Sequence, residues 1–333
     1  MGKADVQRLQ HTLRGYITHP NVVGVLLVGL GCEMTGIDVI LDNYQPSAVL
    51  RKLNIQKAGG TGATIRKGIE LVREIAAEVG TLHRENCPVA DLMLALQCGG
   101  SDGLSGITAN PALGKASDLL VECGGTSILA ETPEIYGAES LLLGRAVSGH
   151  VKDALRAKIA WWEEYVRLRG GEINNNPAPG NKAGGLTNIV EKSLGAVAKG
   201  GMSPLSGVLD YAQKPQCPGF YFMDSPGYDP CSCTGQIAAG ATLIGFTTGR
   251  GSAFGSAIVP CLKLSTNSEL YEAMPEDIDI NCGDIAQGIT SIEAKGEQIY
   301  QAMIAVASGK QTWSEVWGYG DEEFVPWCTG AVM

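Results

Sequence analysis

Five short apolar runs, rich in Val, Ile and Leu and each stopping at residues that carry chemistry, constrain this 333-residue chain more than any other feature. They cover 22–31, ending in Cys32 and Glu33; 91–97, ending in Cys98-Gly-Gly-Ser101-Asp102; and 126–130, ending in Glu131. Two more cover 219–223, ending in Asp224, and 241–246, ending in Thr247-Thr248-Gly-Arg250. Most are followed by a segment whose apolar residues recur at helical spacing. Uninterrupted apolar strands alternating with helices describe a parallel sheet, since such strands are buried on both faces and need crossovers to return. The expected fold is therefore α/β, a mainly parallel sheet flanked by helices. In open sheets of this kind ligands bind beyond the carboxyl ends of the strands. The polar residues that close the runs should then gather on one edge and share one site.

Helical spacing is read over 63–80, 112–123 and from 138 to about 169, the last carrying Trp161-Trp162-Glu163-Glu164-Tyr165. A polar stretch before Pro88 marks a boundary between 1–86 and 87–333. Residues 170–185 resemble a linker, yet they hold a run of three Asn, two Pro and Lys182, and long loops inside domains are often functional.

Glycine supplies 45 residues, about twice the usual share, while proline supplies only 15, so the excess belongs to structured turns. With 25 Lys+Arg against 35 Asp+Glu the net charge is −10, and no basic block exists to neutralise a phosphate backbone; nucleic acid is not an expected partner. The longest apolar run is broken by glycine and falls short of the roughly 20 residues that span a bilayer, so no membrane association is expected. The polar start lacks a signal-peptide core, which points to the cytoplasm, where ten cysteines read as thiols, ligands or catalytic groups.

Cys32, Cys98 and Cys282 each neighbour glycine at a loop start and could hold iron, although no Cys-x-x-Cys spacing occurs and a buried thiol is also an ordinary small hydrophobe. Glu131, Glu134 and Asp224, just past strands, suit a divalent metal or acid–base work; the same positions also suit helix capping. Glycine-rich loops at 59–64, 99–106 and 247–252 look like anion cradles. None has the P-loop or dinucleotide pattern, so ATP and NAD are disfavoured and a carboxylate paired with Arg250 is the natural ligand. None of the four histidines stands beside a strand end, which leaves a Ser-His-Asp hydrolase poorly supported.

The segments GLGCE, IQKAGGTGATIRKG, LQCGGSDGLSGITANPALGKASDLLVECGGTSILAETPEIYGAE, NNPAPGNKAGGLTNIVEKSLGAVAKGG, FMDSPGYDPCSCTGQIAAGA, FTTGRGSAFG and INCG together resemble the altronate dehydratase and galactarate dehydratase family, in order and over nearly the whole chain. ETPEIYGAE and WWEEY look nearer the altronate branch, and the sulfolactate sulfo-lyase large subunit resembles the chain more distantly. The resemblance implies a cytoplasmic hydro-lyase that converts a sugar acid to a 3-deoxy-2-keto acid. It implies a need for ferrous iron, mononuclear or in an iron–sulfur cluster. It also implies a Rossmann-like catalytic domain over 87–333 and a smaller, partial α/β domain over 1–86 that makes a homodimer. Full-length relatives carry an upstream β-rich module and a segment with His and Gly-Cys-Gly, so a separate module is expected to complete the chain.

Carried onto this sequence, the expected metal ligands are Cys32, Cys98, Cys282 and Glu134, while Cys231, Cys233, Cys261 and Cys328 depart from the family pattern. The expected base is Lys182, with Lys192 second, beside Glu131 and Asp224; pairing of Lys182 with the substrate carboxylate is the equal alternative. A lysine base needs desolvation or a neighbouring cation. Ser101, Asp102, Asn110, Asn175, Asn176, Asn181 and Thr248 are expected to read hydroxyls, and Arg250 to hold the carboxylate. Two alternatives stand beside this reading: a sulfo-lyase expelling sulfite, and a silent fragment that binds a sugar acid or dimerises.

Overall fold

The structure, a computed structural model, describes residues 2–33, 35–42, 48–173 and 177–330. It divides into two compact units, one formed by residues up to Cys87 together with those from Cys328 onward, the other by Pro88–Trp327. Among the described residues no helix is long and apolar enough to cross a membrane.

In the first unit, β1 (Gly24–Gly29) pairs in parallel with β2 (Val49–Asn54). Helices Lys3–Ile17 and Thr61–Val79 accompany this pair, and Ile17, Ile40 and Leu41 form a small core. Asp5 is buried, and its carboxylate accepts hydrogen bonds from the backbone N–H of Thr329 and Gly330 and from the Thr329 hydroxyl, so both ends of the described chain belong to this unit.

The second unit is built on a seven-stranded, wholly parallel sheet. Its strands are β3 (Met93–Cys98), β4 (Thr126–Ala130), β5 (Leu205–Leu209), β6 (Gly219–Met223), β7 (Leu243–Thr248), β8 (Cys261–Ser265) and β9 (Ile280–Asn281), in the order β5-β6-β4-β3-β7-β8-β9. Alternation decides the faces. Leu94, Leu96, Leu129, Phe220 and Phe222 enter one core with Leu113 and Leu120 of helix Ala109–Glu122 and Ile299 and Met303 of helix Ile292–Ala307; Ile128, Ala130, Tyr221 and Met223 enter the other. Each such side chain stabilises the fold by roughly 1.5–3 kcal/mol on leaving water.

One expected helix is two. The segment from 138 to about 169 forms helices Glu139–Gly144 and Gly149–Leu168. Ala146 is drawn out to bridge Leu205 of β5, and the Ser148 hydroxyl then caps the second helix by accepting from Val151 N–H.

Candidate active site

The carboxyl ends of β3, β4, β6 and β7 lie on one edge because every neighbour is parallel. From β3 the chain goes to β4 on one side and later returns to β7 on the other, so the reversal point lies between β3 and β7. A cavity of about 360 Å³ opens there, and Cys98, Glu134, Asn181, Lys192, Asp229 and Arg250 help to line it. Cys98 ends β3, Glu134 closes the short turn Thr132–Glu134 after β4, and Asp229 opens helix Asp229–Ala238 after β6. Lys192 comes from helix Ile189–Ala198.

Charge is concentrated in this pocket. Lys192 Nζ donates to Glu134 Oε1 at 3.0 Å, whereas Glu134 Oε2 is buried without a hydrogen-bond partner. Lys199, 1% exposed, donates to Cys98 Sγ at 2.9 Å. Burial pulls the Lys199 ammonium down, but the negative surroundings of Cys98, Glu131 and Glu134 outweigh it and leave the group above its ordinary value. Burial pushes the Cys98 thiol up, with Lys199 only partly opposing it. Burial and the charges of Glu134 and Asp229 hold the Glu131 carboxyl well above the usual range. Asp229 rises to about 7 through burial and the Glu134 charge, with Lys199 and Lys192 pulling it back. Gly99 makes this crowding possible, because a Cβ there would overlap Asp229 Oδ2.

A carboxylate, an ion pair and a guanidinium on one parallel-sheet edge are a setting for acid–base chemistry on an acid. Comparison with known families narrows it. Residues 89–332 match the family described as D-galactarate/altronate dehydratase, C-terminal, and residues 1–80 match D-galactarate dehydratase/altronate hydrolase, second domain. The chain belongs to this dehydratase family.

Among its relatives, the galactarate dehydratase (L-threo-forming) of Escherichia coli is 38% identical over 316 residues, 92% of this chain and 60% of that protein. The altronate dehydratase of Bacillus subtilis is 38% identical over 306 residues, 92% of this chain and 61% of that protein. The (2R)-sulfolactate sulfo-lyase subunit beta of Chromohalobacter salexigens is 32% identical over 325 residues, 97% of this chain and 82% of that protein. The chain thus spans about three-fifths of the dehydratases it matches.

Within the dehydratase fold, the expected residues separate into groups. Cys98, Ser101, Glu134, Asn181, Lys192 and Arg250 share the cavity, and Glu131 lies buried behind it, close enough for its charge to act on Cys98 and Lys199. Lys182 is exposed and outside the cavity, so it lacks the desolvation that a lysine base requires. Asp224 is already committed: its Oδ1 accepts from Thr132 Oγ1 at 2.6 Å and Trp162 Nε1 at 2.8 Å, and Lys158 stands 3.5 Å from Oδ2. It braces the Thr132–Glu134 turn.

Several expected hydroxyl readers are also spoken for by the protein. Asp102 accepts from Ser105 Oγ, Thr266 Oγ1 and Asn267 Nδ2. Asn110 accepts from Thr247 Oγ1 and donates to Gly195 O, and Thr248 Oγ1 accepts from the N–H of Arg250 and Gly251. Asn181 donates to Ser101 O and accepts from Ala178 N–H. Asn175 and Asn176 lie outside the described residues.

Two contributors were missed by sequence reasoning. Asp229 stands in the quoted MDSPGYD run, but Asp224 was favoured for following its strand directly. Lys199 sits at the end of the apolar helix segment GAVA, where a lone lysine was the available signal.

Of the expected iron ligands in the second unit, Cys98 and Glu134 share the cavity and Cys282 does not. Cys282 is fully buried in the apolar core with Leu264, Ile280 and Ile299, its thiol pushed by burial up to about 12. It follows β9, three strands and roughly 14 Å of sheet from β3. Cys32 is exposed in the first unit. Cys98 faces an ammonium, and Glu134 Oε2 is one orphaned donor rather than a set. Among the described residues no group of three or more His, Cys, Asp or Glu is disposed to hold a metal ion. Within the second unit Cys98, Glu134 and Cys282 do not form a ligand set for iron.

Proposed function

We propose that this chain removes water from a sugar acid, with an aldonate of the altronate type as substrate and a 3-deoxy-2-keto acid as product. The observation that carries the reading is the joint presence, in one cavity at the reversal point of the sheet, of Asp229, the Lys192–Glu134 pair and Arg250. Dehydration of a 2,3-dihydroxy acid takes a weakly acidic proton from C2 and expels hydroxide from C3. Asp229, with its carboxyl raised to about 7, has the basicity to take the C2 proton near neutral pH. Lys192, held by Glu134, supplies the proton with which the C3 hydroxyl leaves as water. The enol that remains tautomerises to the 2-keto acid. Arg250 makes no ion pair among the described residues, and its guanidinium is matched to the substrate carboxylate, where enolate charge develops. A single such cation favours an acid with one carboxylate.

The test is incubation of the purified chain with altronate and galactarate while keto acid is measured. Keto acid from altronate in excess over galactarate is expected; none from any sugar acid would overturn the proposal. A second reading, elimination of sulfite from sulfolactate, is favoured by the match to the sulfo-lyase subunit over 97% of this chain. It predicts sulfite release in the same experiment.

A further inference from the structure

The function proposed above uses Glu134, Lys192 and Asp229 and leaves Glu131 unexplained. Glu131 is 2% exposed and holds φ 75° and ψ 79°, the left-handed region that a glutamate does not enter of its own accord. Such a conformation persists only where the surroundings over-determine it, and it clusters at functional sites.

Here the surroundings are Ser225. Its Oγ accepts from Glu131 N–H at 3.0 Å and its carbonyl accepts from Thr132 N–H at 3.0 Å, so one residue holds both amides that open the turn. The hydroxyl proton of Ser225 goes to Ser232 Oγ, 3.0 Å away on helix Asp229–Ala238. Ser232 Oγ also accepts from Gln97 Nε2 at 2.7 Å, and Gln97 is the residue before Cys98. Gln236, one turn further, accepts from the same amide and donates its own to Ile128 O of β4. Ser225, Ser232, Gln97 and Gln236 are all buried and all neutral. They add no charge to the cavity; what they fix is the relative placement of β3, the turn after β4 and the helix that begins with Asp229.

We propose that Ser225 is a positioning residue, which by holding the Glu131 and Thr132 amides sets the turn so that Glu134 meets Lys192 in the cavity that Asp229 shares. The inference rests on the proposed dehydration, and its experiment has one readout that does not. Hydrogen exchange of the full chain is followed by mass spectrometry in wild type, Ser225→Ala and Ser225→Thr, alongside sugar-acid turnover. Ser225→Ala, which removes the acceptor of the Glu131 amide and keeps the carbonyl that holds Thr132, is expected to speed exchange at Glu131 by about tenfold or more, with the amides of β3 unchanged. Its kcat should fall about tenfold to a hundredfold with little change in KM, and Ser225→Thr, which keeps the hydroxyl, should recover both. Ser232→Ala, one link away, should show the same pattern more weakly and serves if Ser225→Ala does not fold. Unchanged exchange at Glu131, or faster exchange with wild-type kcat, overturns the proposal. If the wild type turns over no sugar acid, the functional reading fails by itself, and the exchange pattern still decides whether Ser225 holds the turn.

Discussion

Two groups of buried carboxylates share one edge of the large sheet and are treated in opposite ways. Asp102 is enclosed by donors, accepting from Ser105, Thr266 and Asn267, and is wedged so closely against Gly249 that a Cβ there would overlap its Cγ. Glu131, Glu134 and Asp229 crowd together with Lys192 and Lys199, and one oxygen of Glu134 has no partner at all. A buried acid surrounded by donors contributes to holding a loop. Acids that repel one another and leave an oxygen unused cost stability, and they persist where that reactivity is needed. Burial alone therefore does not separate these two groups, whereas the neighbours around each carboxylate do.

The contrast breaks most visibly in the cavity. Lys192→Met should lower kcat for keto acid formation by about 10²- to 10⁴-fold, as expected for loss of a proton donor, and should also lower the thermal midpoint, because Glu134 is left without its buried partner. Lys182→Met, whose side chain is exposed and does not line the cavity, should stay within about twofold of wild type in the same assay. Equal losses in the two variants would return the base to the GNKAGG segment.

Asp102 should behave in the reverse manner. Asp102→Ala strands three donors and is expected to destabilise the fold by about 3 kcal/mol, read from the midpoint of urea unfolding. A stable Asp102→Ala protein with lost turnover would place Asp102 among the substrate contacts.

The smallest effect lies in pH. The Asp229 carboxyl is raised from 3.8 to about 7 on folding, so the folded state binds the proton more tightly than the unfolded chain does. The associated stability is fully present below about pH 4 and is lost as pH rises through about 7. Because Asp229 is partly open to the cavity the loss is modest, about 1–2 kcal/mol or a few degrees of thermal midpoint, and Asp229→Asn should flatten this segment of the profile. A profile that Asp229→Asn leaves unaltered would remove Asp229 from the crowded group.

Much of the architecture was legible because the sheet is wholly parallel. Runs buried on both faces stand out as uninterrupted apolar stretches, and β4 and β6 begin and end where those stretches do. The strands that escaped carry polar residues for reasons of tertiary structure. In β2, Arg51 and Lys52 are paired with Glu78 and Asp38. In β8 a fully buried Lys263 interrupts the pattern, its Nζ 5.0 Å from the ring centre of Tyr319. β9 has two residues, too few for any period.

The site followed the same logic. Glycine beside Cys98 and an acid beside a strand end pointed to the edge on which the cavity opens. Which oxygens were already occupied depended on partners far away in the chain, such as Thr266 on Asp102 or Trp162 on Asp224, and no local spacing reports that. Thiols at loop starts likewise read as a ligand set until Cys282 proved to be part of the apolar core.

The hydrogen bonds from Thr329 and Gly330 to Asp5 join residues more than 320 positions apart. On a ribosome that adds residues from the amino end, the smaller unit emerges before the larger one yet receives these contacts only after the larger one has been made. Its helices and paired strands must wait, incompletely closed, while the larger unit is made and folds. Removing residues 328–330 should therefore weaken the smaller unit, from which they are separated by the whole of the larger one.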